Sequence, residues 1–340
     1  MRRSSIIAAV IGLASWSLAA SAADVTLYGK IYAEMANQTA GSGATQVDSF
    51  TLDDAQNLGR LGVKFSQDLG TGLTAYGKFE FSVNAPDSTN DFAMRDAHVG
   101  LRGKFGSFAL GRFDGIYKTS GGVAWDPFAF TSLQLAGNGG QSNTNFGNAG
   151  FIDRAIEYRF PEYQQGSTRF SGAIQYGADT SGASLTTPSE SFLGGFTLGI
   201  GSIDLMYGYT HNGATSAINQ KFGVKVSGGA ATFMIQSEEV EQGGYDPSGD
   251  GRFLTGIVTY EVGNFLWVAS IADYDTDFFD DAATPLVTSD DVYFTAATSI
   301  LGLRYYWAKD IWTVLGYRRT DSDADARDST ATVLGMRFDF

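Results

Sequence analysis

The sequence has no cysteine, only two histidines and six prolines, and no run of about 18 apolar residues after position 22. The lack of cysteine suits a chain exported to an oxidising compartment, where stray thiols are a liability. Without a long apolar run, no transmembrane helix is predicted in the mature chain. Neither histidine has an acid and a nucleophile beside it in a plausible motif, which argues against a serine hydrolase or a metalloenzyme.

Basic residues are also few, because 23 lysines and arginines stand against 37 aspartates and glutamates, for a formal net charge of −14. A nucleic-acid partner would require a basic face, so none is predicted. The acidic excess suits either solvated external loops or a surface that favours cations.

The first residues have the pattern of a secretory signal peptide. Arg2 and Arg3 precede an apolar run at 6–18, and Ala20-Ser21-Ala22 follows as an A-x-A cleavage site. We predict that residues 1–22 are removed and that 23–340 form one domain. Loss of the two arginines changes the net charge from −14 to −16. An uncleaved membrane anchor is disfavoured because the apolar run is short.

Glycine (43), phenylalanine (25) and tyrosine (16) are abundant, and the apolar residues alternate with polar ones rather than forming blocks. We count sixteen segments with strand periodicity and none with convincing helical periodicity over 12 residues. Short turns alternate with long polar loops, among them 37–57 and 114–150. This pattern predicts an all-β, antiparallel transmembrane barrel, whose even strand number leaves no sheet edge in lipid.

The chain ends in an alternating apolar run that closes on phenylalanine: Leu334, Met336, Phe338 and Phe340. This ending resembles the terminal signature of outer-membrane barrels. Alternation alone cannot distinguish a barrel from a soluble sandwich, but this terminus and the signal peptide favour the barrel.

Several segments together resemble the general diffusion porins, the trimeric sixteen-stranded class of Gram-negative outer membranes. In chain order they are Asp24-Val25-Thr26-Leu27-Tyr28-Gly29-Lys30, Leu58-Gly59-Arg60-Leu61-Gly62-Val63-Lys64-Phe65, Arg95-Asp96-Ala97-His98-Val99-Gly100-Leu101, Phe105-Gly106-Ser107-Phe108-Ala109-Leu110-Gly111-Arg112 and Ile156-Glu157-Tyr158-Arg159-Phe160-Pro161. The resemblance covers essentially the mature chain. It implies a homotrimer in contact with outer-membrane lipid and lipopolysaccharide, with the third loop, 114–150, folded into the lumen as a constriction.

The resemblance also implies which residues line the pore. Lys30, Arg60 and Arg95 match the family's cations on the barrel wall, and the loop is expected to supply acids, here Asp114 and Asp126. Strand parity adds three more inward-facing residues: Lys64, Lys78 and Glu80.

Parity gives three further expectations. Asp96 and His98 share the outward face of Met94, Arg154 belongs at the rim, and Arg159 points inward.

The loop departs from the family pattern because it has only two acids, Asp114 and Asp126, and Lys118 offsets one of them. A strongly cation-selective constriction is therefore disfavoured. Its aromatic residues, Trp125, Phe128 and Phe130, either dock the loop on the inner wall or stack with sugar rings.

Acidic loops raise the possibility of bound calcium. Asp246 and Asp250 begin a calcium-loop pattern whose twelfth position is Ile257 rather than glutamate, and Asp273, Asp275 and Asp277 alternate nearby. The alternative is a hydrated acidic rim. No other cofactor is predicted.

These observations favour an outer-membrane porin, not an enzyme, through which small hydrophilic solutes and ions diffuse passively. The alternatives are a substrate-selective channel for sugars or anions and, less favoured, a non-channel barrel acting as an adhesin or enzyme.

Overall fold

In a computed structural model, the described parts of the chain are residues 23–43, 46–55, 58–86, 92–135, 151–178, 190–213, 218–241, 251–276, 294–323 and 328–340. The predicted signal peptide lies outside them.

The described residues form eighteen β-segments and one short α-helix. The segments are β1 (Asp24–Ala40), β2 (Val47–Asp53), β3 (Arg60–Asp68), β4 (Thr74–Ser82), β5 (Met94–Gly103), β6 (Gly106–Asp114), β7 (Phe151–Arg159), β8 (Tyr163–Gln165), β9 (Thr168–Gly177), β10 (Ser191–Ile200), β11 (Ile203–Asn212), β12 (Ile218–Gly228), β13 (Ala231–Glu241), β14 (Gly251–Val262), β15 (Phe265–Thr276), β16 (Phe294–Ala308), β17 (Ile311–Ser322) and β18 (Ser329–Asp339). The helix, α1, is Ile116–Thr119, and no described helix is long and apolar enough to cross a membrane.

Two strands of the barrel are interrupted. β2 and β3 both pair with β1, and β7 and β8 both pair with β9. Pro161 lies between β7 and β8, where its missing N–H ends the ladder. Counted with these interruptions, the eighteen segments are sixteen strands.

Every strand pairs antiparallel with its sequence neighbours, and β1 pairs with β18 as well as with β2 and β3, so the sheet closes on itself. The predicted sixteen-stranded antiparallel barrel is confirmed.

The prediction that 37–57 is one long loop is wrong. β1 continues to Ala40 and pairs with β2, so this hairpin connection covers only residues 41–46. The ends of these two strands have polar side chains, so they lack the apolar alternation by which strands were predicted. Backbone hydrogen bonds at a solvated rim form without an apolar face.

Large apolar side chains point outward along the strands. In β1, Val25, Leu27 and Ile31 are exposed, whereas Tyr32 and Glu34 are buried on the inner face. The terminal run of β18 continues this outward band. An apolar outer face is what a closed barrel in lipid requires.

Candidate functional site

The inner faces of β1 and β3–β5 carry a dense set of charges, here called the charged wall. Strand register places Lys30 opposite Arg60, and Lys64 opposite Lys78. Like charges directly opposite repel each other, so this wall requires nearby acids or solvent.

Glu80 is the acid at the centre of this wall. Its Oε1 lies 3.5 Å from both Arg60 Nη1 and Arg95 Nε, and its Oε2 lies 3.3 Å from Lys78 Nζ. The Tyr28 hydroxyl donates to Oε2 at 2.8 Å. One carboxylate is thus shared by three cations, which leaves the cluster with excess positive charge.

A β-bulge between β4 and β5 adds a second acid to the charged wall. Glu80 pairs with Asp96 and Phe81 with Met94, so Arg95 is the extra residue. Asp96 Oδ2 accepts from Lys78 Nζ at 3.0 Å, and its Oδ1 lies 2.6 Å from His98 Nδ1. The expectation that Asp96 and His98 share the outward face of Met94 is therefore wrong, because the extra residue changes the parity.

Residues 115–135, here called the inner segment, follow β6 and bring a further cation to this wall. Lys118 Nζ donates to Asp114 Oδ1 at 2.8 Å and lies 5.1 Å and 4.9 Å from the ring centroids of Phe130 and Phe151. Burial lowers the pKa of Lys118, although Asp114 opposes this effect.

The same two rings contact three arginines. Arg60 lies 5.1 Å from the Phe130 centroid, and Arg95 and Arg112 lie 4.9 Å and 4.7 Å from that of Phe151. Four cations therefore surround two phenyl faces, and each such contact is worth about 0.5–2 kcal/mol. We call Arg60, Arg95, Arg112 and Lys118 the basic cluster.

Neither Arg112 nor Phe151 was among the predicted pore-lining residues. By parity with Leu110, Arg112 should face outward, but the register of β6 with β7 shifts between Gly111 and Phe113, where β7 has one extra residue, and φ of Gly111 is +149°. A Cβ there would lie 2.1 Å from the Ala97 carbonyl oxygen, so glycine is required. In the sequence, the only indication of this irregular geometry is the glycine that precedes Arg112 in the strand.

Beyond the basic cluster, the inner segment follows the inner faces of successive strands. Its first backbone N–H groups donate to glutamine side chains: Ile116 N to Gln175 Oε1 of β9 at 2.8 Å, and Gly122 N to Gln236 Oε1 of β13 at 2.7 Å. The Tyr117 hydroxyl donates to Glu238 Oε1 at 2.6 Å, and burial and this carboxylate raise the pKa of Tyr117 well above its usual range.

The far end of the inner segment is fastened to β1 and β17. Ser132 N donates to Glu34 Oε1 at 3.0 Å, and Arg318 Nη1 donates to the Ser132 carbonyl at 2.6 Å. The segment therefore contacts strands on most of the circumference and leaves β3–β5 facing it.

Between these polar contacts, the inner segment buries apolar side chains. Phe128 and Leu133 have no exposed surface and Leu135 has almost none. They form one cluster with inward-facing residues of β14–β17, here called the apolar wall: Ile257, Leu266, Val268, Ile300, Trp312 and Val314. Burial of each such side chain contributes about 1.5–3 kcal/mol. The aromatic residues Trp125 and Phe128 thus dock the segment on the wall.

Asp126 was predicted to line the pore as an acid of the loop, but the structure places its side chain elsewhere. It is buried, and its carboxylate accepts from the backbone N–H groups of Phe128 at 2.8 Å and Leu135 at 3.0 Å. Burial raises its pKa to about 6, although these two bonds oppose the shift. Asp126 therefore braces the inner segment itself.

A cavity of about 610 Å³ lies between α1 and the end of the barrel that has the short turns. Its polar lining includes Lys78, Arg102 and Arg159 together with Asp96 and Glu157. Arg159 Nε donates to Glu157 Oε1 at 2.8 Å, in agreement with its predicted inward direction.

Only two of the five predicted calcium ligands lie within the described residues. Asp273 and Asp275 are exposed on β15, while Asp246, Asp250 and Asp277 lie outside the described residues. Within the described part of the chain, no three potential metal-ligating side chains cluster. Calcium binding stays a prediction.

Comparison with known proteins agrees with this architecture. The profile of the Gram-negative porin family matches residues 6–335. The major outer membrane protein P.IB of Neisseria meningitidis serogroup B is 30% identical over 192 residues, which are 56% of this chain and 54% of that protein. The chain thus spans about half the length of the curated relatives it matches.

Two solved structures share the fold at low sequence identity. The anion-selective porin from Comamonas acidovorans has a TM-score of 0.74 at 19% identity, over 94% of this chain and all of that one. The trimer form of OmpT from Vibrio cholerae has a TM-score of 0.66 at 16% identity, over 94% and 100%. With its closed sixteen-stranded barrel and a family match over nearly its whole length, the chain belongs to the Gram-negative porin family and is an outer-membrane protein.

Proposed function

We propose that this protein is a porin through which small hydrophilic solutes and ions diffuse passively, without a cofactor or covalent chemistry. The observation that carries the proposal is the charged wall. A closed barrel of sixteen strands is wide enough to hold water, and inward charges such as Lys64 and Lys78 require it. The inner segment then forms the constriction opposite this wall.

Single-channel recording tests the proposal. Purified protein in a planar bilayer is expected to give large, stable conductance steps, and proteoliposomes should swell in small sugars. Absence of steps from folded protein would contradict an open pore and favour a closed barrel such as an adhesin.

We further propose that the constriction prefers anions. The basic cluster holds four cations near Glu80, Asp114 and Asp153, and one of those cations, Lys118, comes from the inner segment. A passage lined by such fixed cations raises the local anion concentration. The Comamonas neighbour, whose name states anion selectivity, is consistent with this proposal.

A salt gradient across the bilayer measures that preference. We expect a reversal potential on the anion side that moves toward zero in the Arg95→Gln variant. The matched control, Arg252→Gln, removes a rim cation whose side chain is 72% exposed and should leave the potential unchanged. A cation-side potential in the wild type would contradict the anion preference without affecting the porin proposal.

We propose that the protein forms a homotrimer through the outer face of β18 and β1–β6. Well-exposed tyrosine and tryptophan side chains among the described residues lie on β8, β9, β11 and β14–β17, for example Tyr260, Trp267 and Trp307. On β18 and β1–β6, the exposed large apolar side chains are only Val, Leu, Ile, Met and Phe. Tyrosine and tryptophan mark surfaces that meet lipid headgroups, so their absence points to a face covered by further copies of this chain.

Lipid access tests the trimer face without disturbing it. Because the chain has no cysteine, a bimane label reacts only with the introduced thiol of Val99→Cys or Ile271→Cys. The native side chains at these positions are 56% and 66% exposed. Brominated lipid should quench the label at position 271 and spare the label at 99. Equal quenching would show that β5 faces lipid.

A further inference from the structure

Four glycines on the inner wall mark places where the inner segment approaches the barrel backbone. An ideal Cβ at Gly223 would lie 2.6 Å from Trp125 Cζ3, and one at Gly302 would lie 2.4 Å from Phe128 Cζ. At Gly316 the nearest atom is Leu133 Cδ1 at 2.5 Å. These distances are shorter than real Cβ atoms tolerate, so any other residue requires the facing side chain of the inner segment to shift.

The fourth glycine, Gly195, lies on β10, where a Cβ would be 2.0 Å from Ser120 Oγ and 2.8 Å from Ile116 Cγ1. The fit is also reciprocal, because a Cβ on Gly121 of the inner segment would lie 2.1 Å from Met206 Cε of β11. Wall and segment therefore interdigitate in both directions.

The occupants follow one another in chain order as the strands follow one another around the barrel. Ser120 lies against β10, Trp125 against β12, Phe128 against β16 and Leu133 against β17. The four glycines therefore mark successive contacts along one continuous path of the inner segment around the inner wall. The glutamine and glutamate contacts at Gln175, Gln236 and Glu34 lie along the same path.

We propose that Gly195, Gly223, Gly302 and Gly316 are size-determining residues of the pore. They form seats that hold the inner segment against the wall and so fix the width left between it and the charged wall. The segment is then a permanent part of the lining rather than a moving gate. This inference rests on the proposed diffusion function, because width matters only if solutes pass.

The seats have no space for a methyl group, and the packed cluster behind Phe128 transmits the displacement. A Gly302→Ala substitution should push Phe128 toward the charged wall and lower the single-channel conductance by about two-fold. Gly256→Ala is the matched control, since Gly256 faces outward on β14 and the nearest atom to its Cβ would be Ile271 Cγ1, at an ordinary 3.4 Å. The control should conduct like the wild type.

A compensating variant separates a filled seat from general destabilisation. Leucine lacks the Cζ and Cε2 atoms that would collide, so Phe128→Leu combined with Gly302→Ala should recover the conductance that Gly302→Ala alone loses. Heat-shifted mobility on gels confirms that each barrel has folded.

If the wild type conducts and Gly302→Ala conducts equally, the seat proposal is overturned while the porin proposal stands. Failure of the double variant to recover conductance also overturns it. If the wild type gives no current, the porin proposal itself fails.

Discussion

The two halves of the inner wall differ in the chemistry of their inward side chains, although the strands of both halves alternate inward and outward residues in the same way. On β3–β5 the inward residues are charges, and Arg60 and Lys78 lie 3.5 Å and 3.3 Å from the carboxylate of Glu80. On β14–β17 they are apolar residues such as Ile257 and Ile300, which are buried against the inner segment. One half therefore lines a wet passage, and the other is the core that fixes its boundary.

The difference shows how a barrel can be both hollow and packed. In the charged half, desolvation offsets most of the attraction within buried ion pairs such as Arg60–Glu80, whose side chains are 11% and 5% exposed, so these pairs contribute little net stability. Apolar burial in the other half contributes about 1.5–3 kcal/mol for each large side chain. The position of the inner segment thus depends on the apolar half, and its electrostatics depend on the charged half.

The largest expected effect comes from loss of the main apolar anchor. Phe128→Ala leaves a cavity in the apolar cluster, and such truncations cost about 3–5 kcal/mol. We expect the inner segment to detach and the single-channel current to become larger and noisier, while the barrel stays folded. Protease sensitivity within residues 115–135 provides a second measurement, and a segment as resistant as in the wild type would refute the anchor role.

The next effect concerns the charged half alone. Glu80→Gln removes the acid that three cations share, so the wall gains one net positive charge near the passage. We expect the reversal potential to move further toward anions. Glu239→Gln is the control, because Glu239 is at the rim with 59% of its side chain exposed. The same shift in both variants would mean that the constriction does not sort charge.

Much of the fold could be predicted from the sequence, because alternation, turn spacing and the terminal phenylalanine each follow directly from barrel geometry. The family resemblance predicted that the inner segment belongs to a loop folded into the lumen, but it did not predict which strands the segment contacts. Its seats at Gly302 and Gly316 carry no local signal, since a strand glycine has many possible causes and its occupant comes from far away in the chain.

Bulges explain why the charged wall was only partly predictable. Lys30, Arg60, Lys64, Lys78 and Glu80 follow strict parity, so the sequence places them on the inner face. Asp96 and Arg112 lie beside register shifts that a period-two pattern does not encode.

A smaller effect is expected from pH, which changes the protonation of Asp126 and so the stability of the docked inner segment. Because the pKa of Asp126 is raised to about 6 by burial, the docked segment favours the protonated acid. Its docking is therefore strongest below the ordinary aspartate range and weakens as the pH rises through about 6. Hydrogen exchange of residues 116–135 should be slower at pH 5 than at pH 8, after correction for intrinsic rates. Asp126→Asn should lose this pH dependence, and equal protection at both pH values in the wild type would refute it.

Thiol accessibility tests the division of the inner wall most directly, since the chain has no cysteine of its own. Lys64→Cys places a thiol at an exposed position of the charged half, and Ile300→Cys places one on the apolar half, where the native side chain is only 4% exposed. A charged methanethiosulfonate reagent added during single-channel recording should reduce the current of the Lys64→Cys variant and leave the Ile300→Cys variant unmodified. Equal modification of both thiols would show that water reaches the apolar half, and that the inner segment does not seal it.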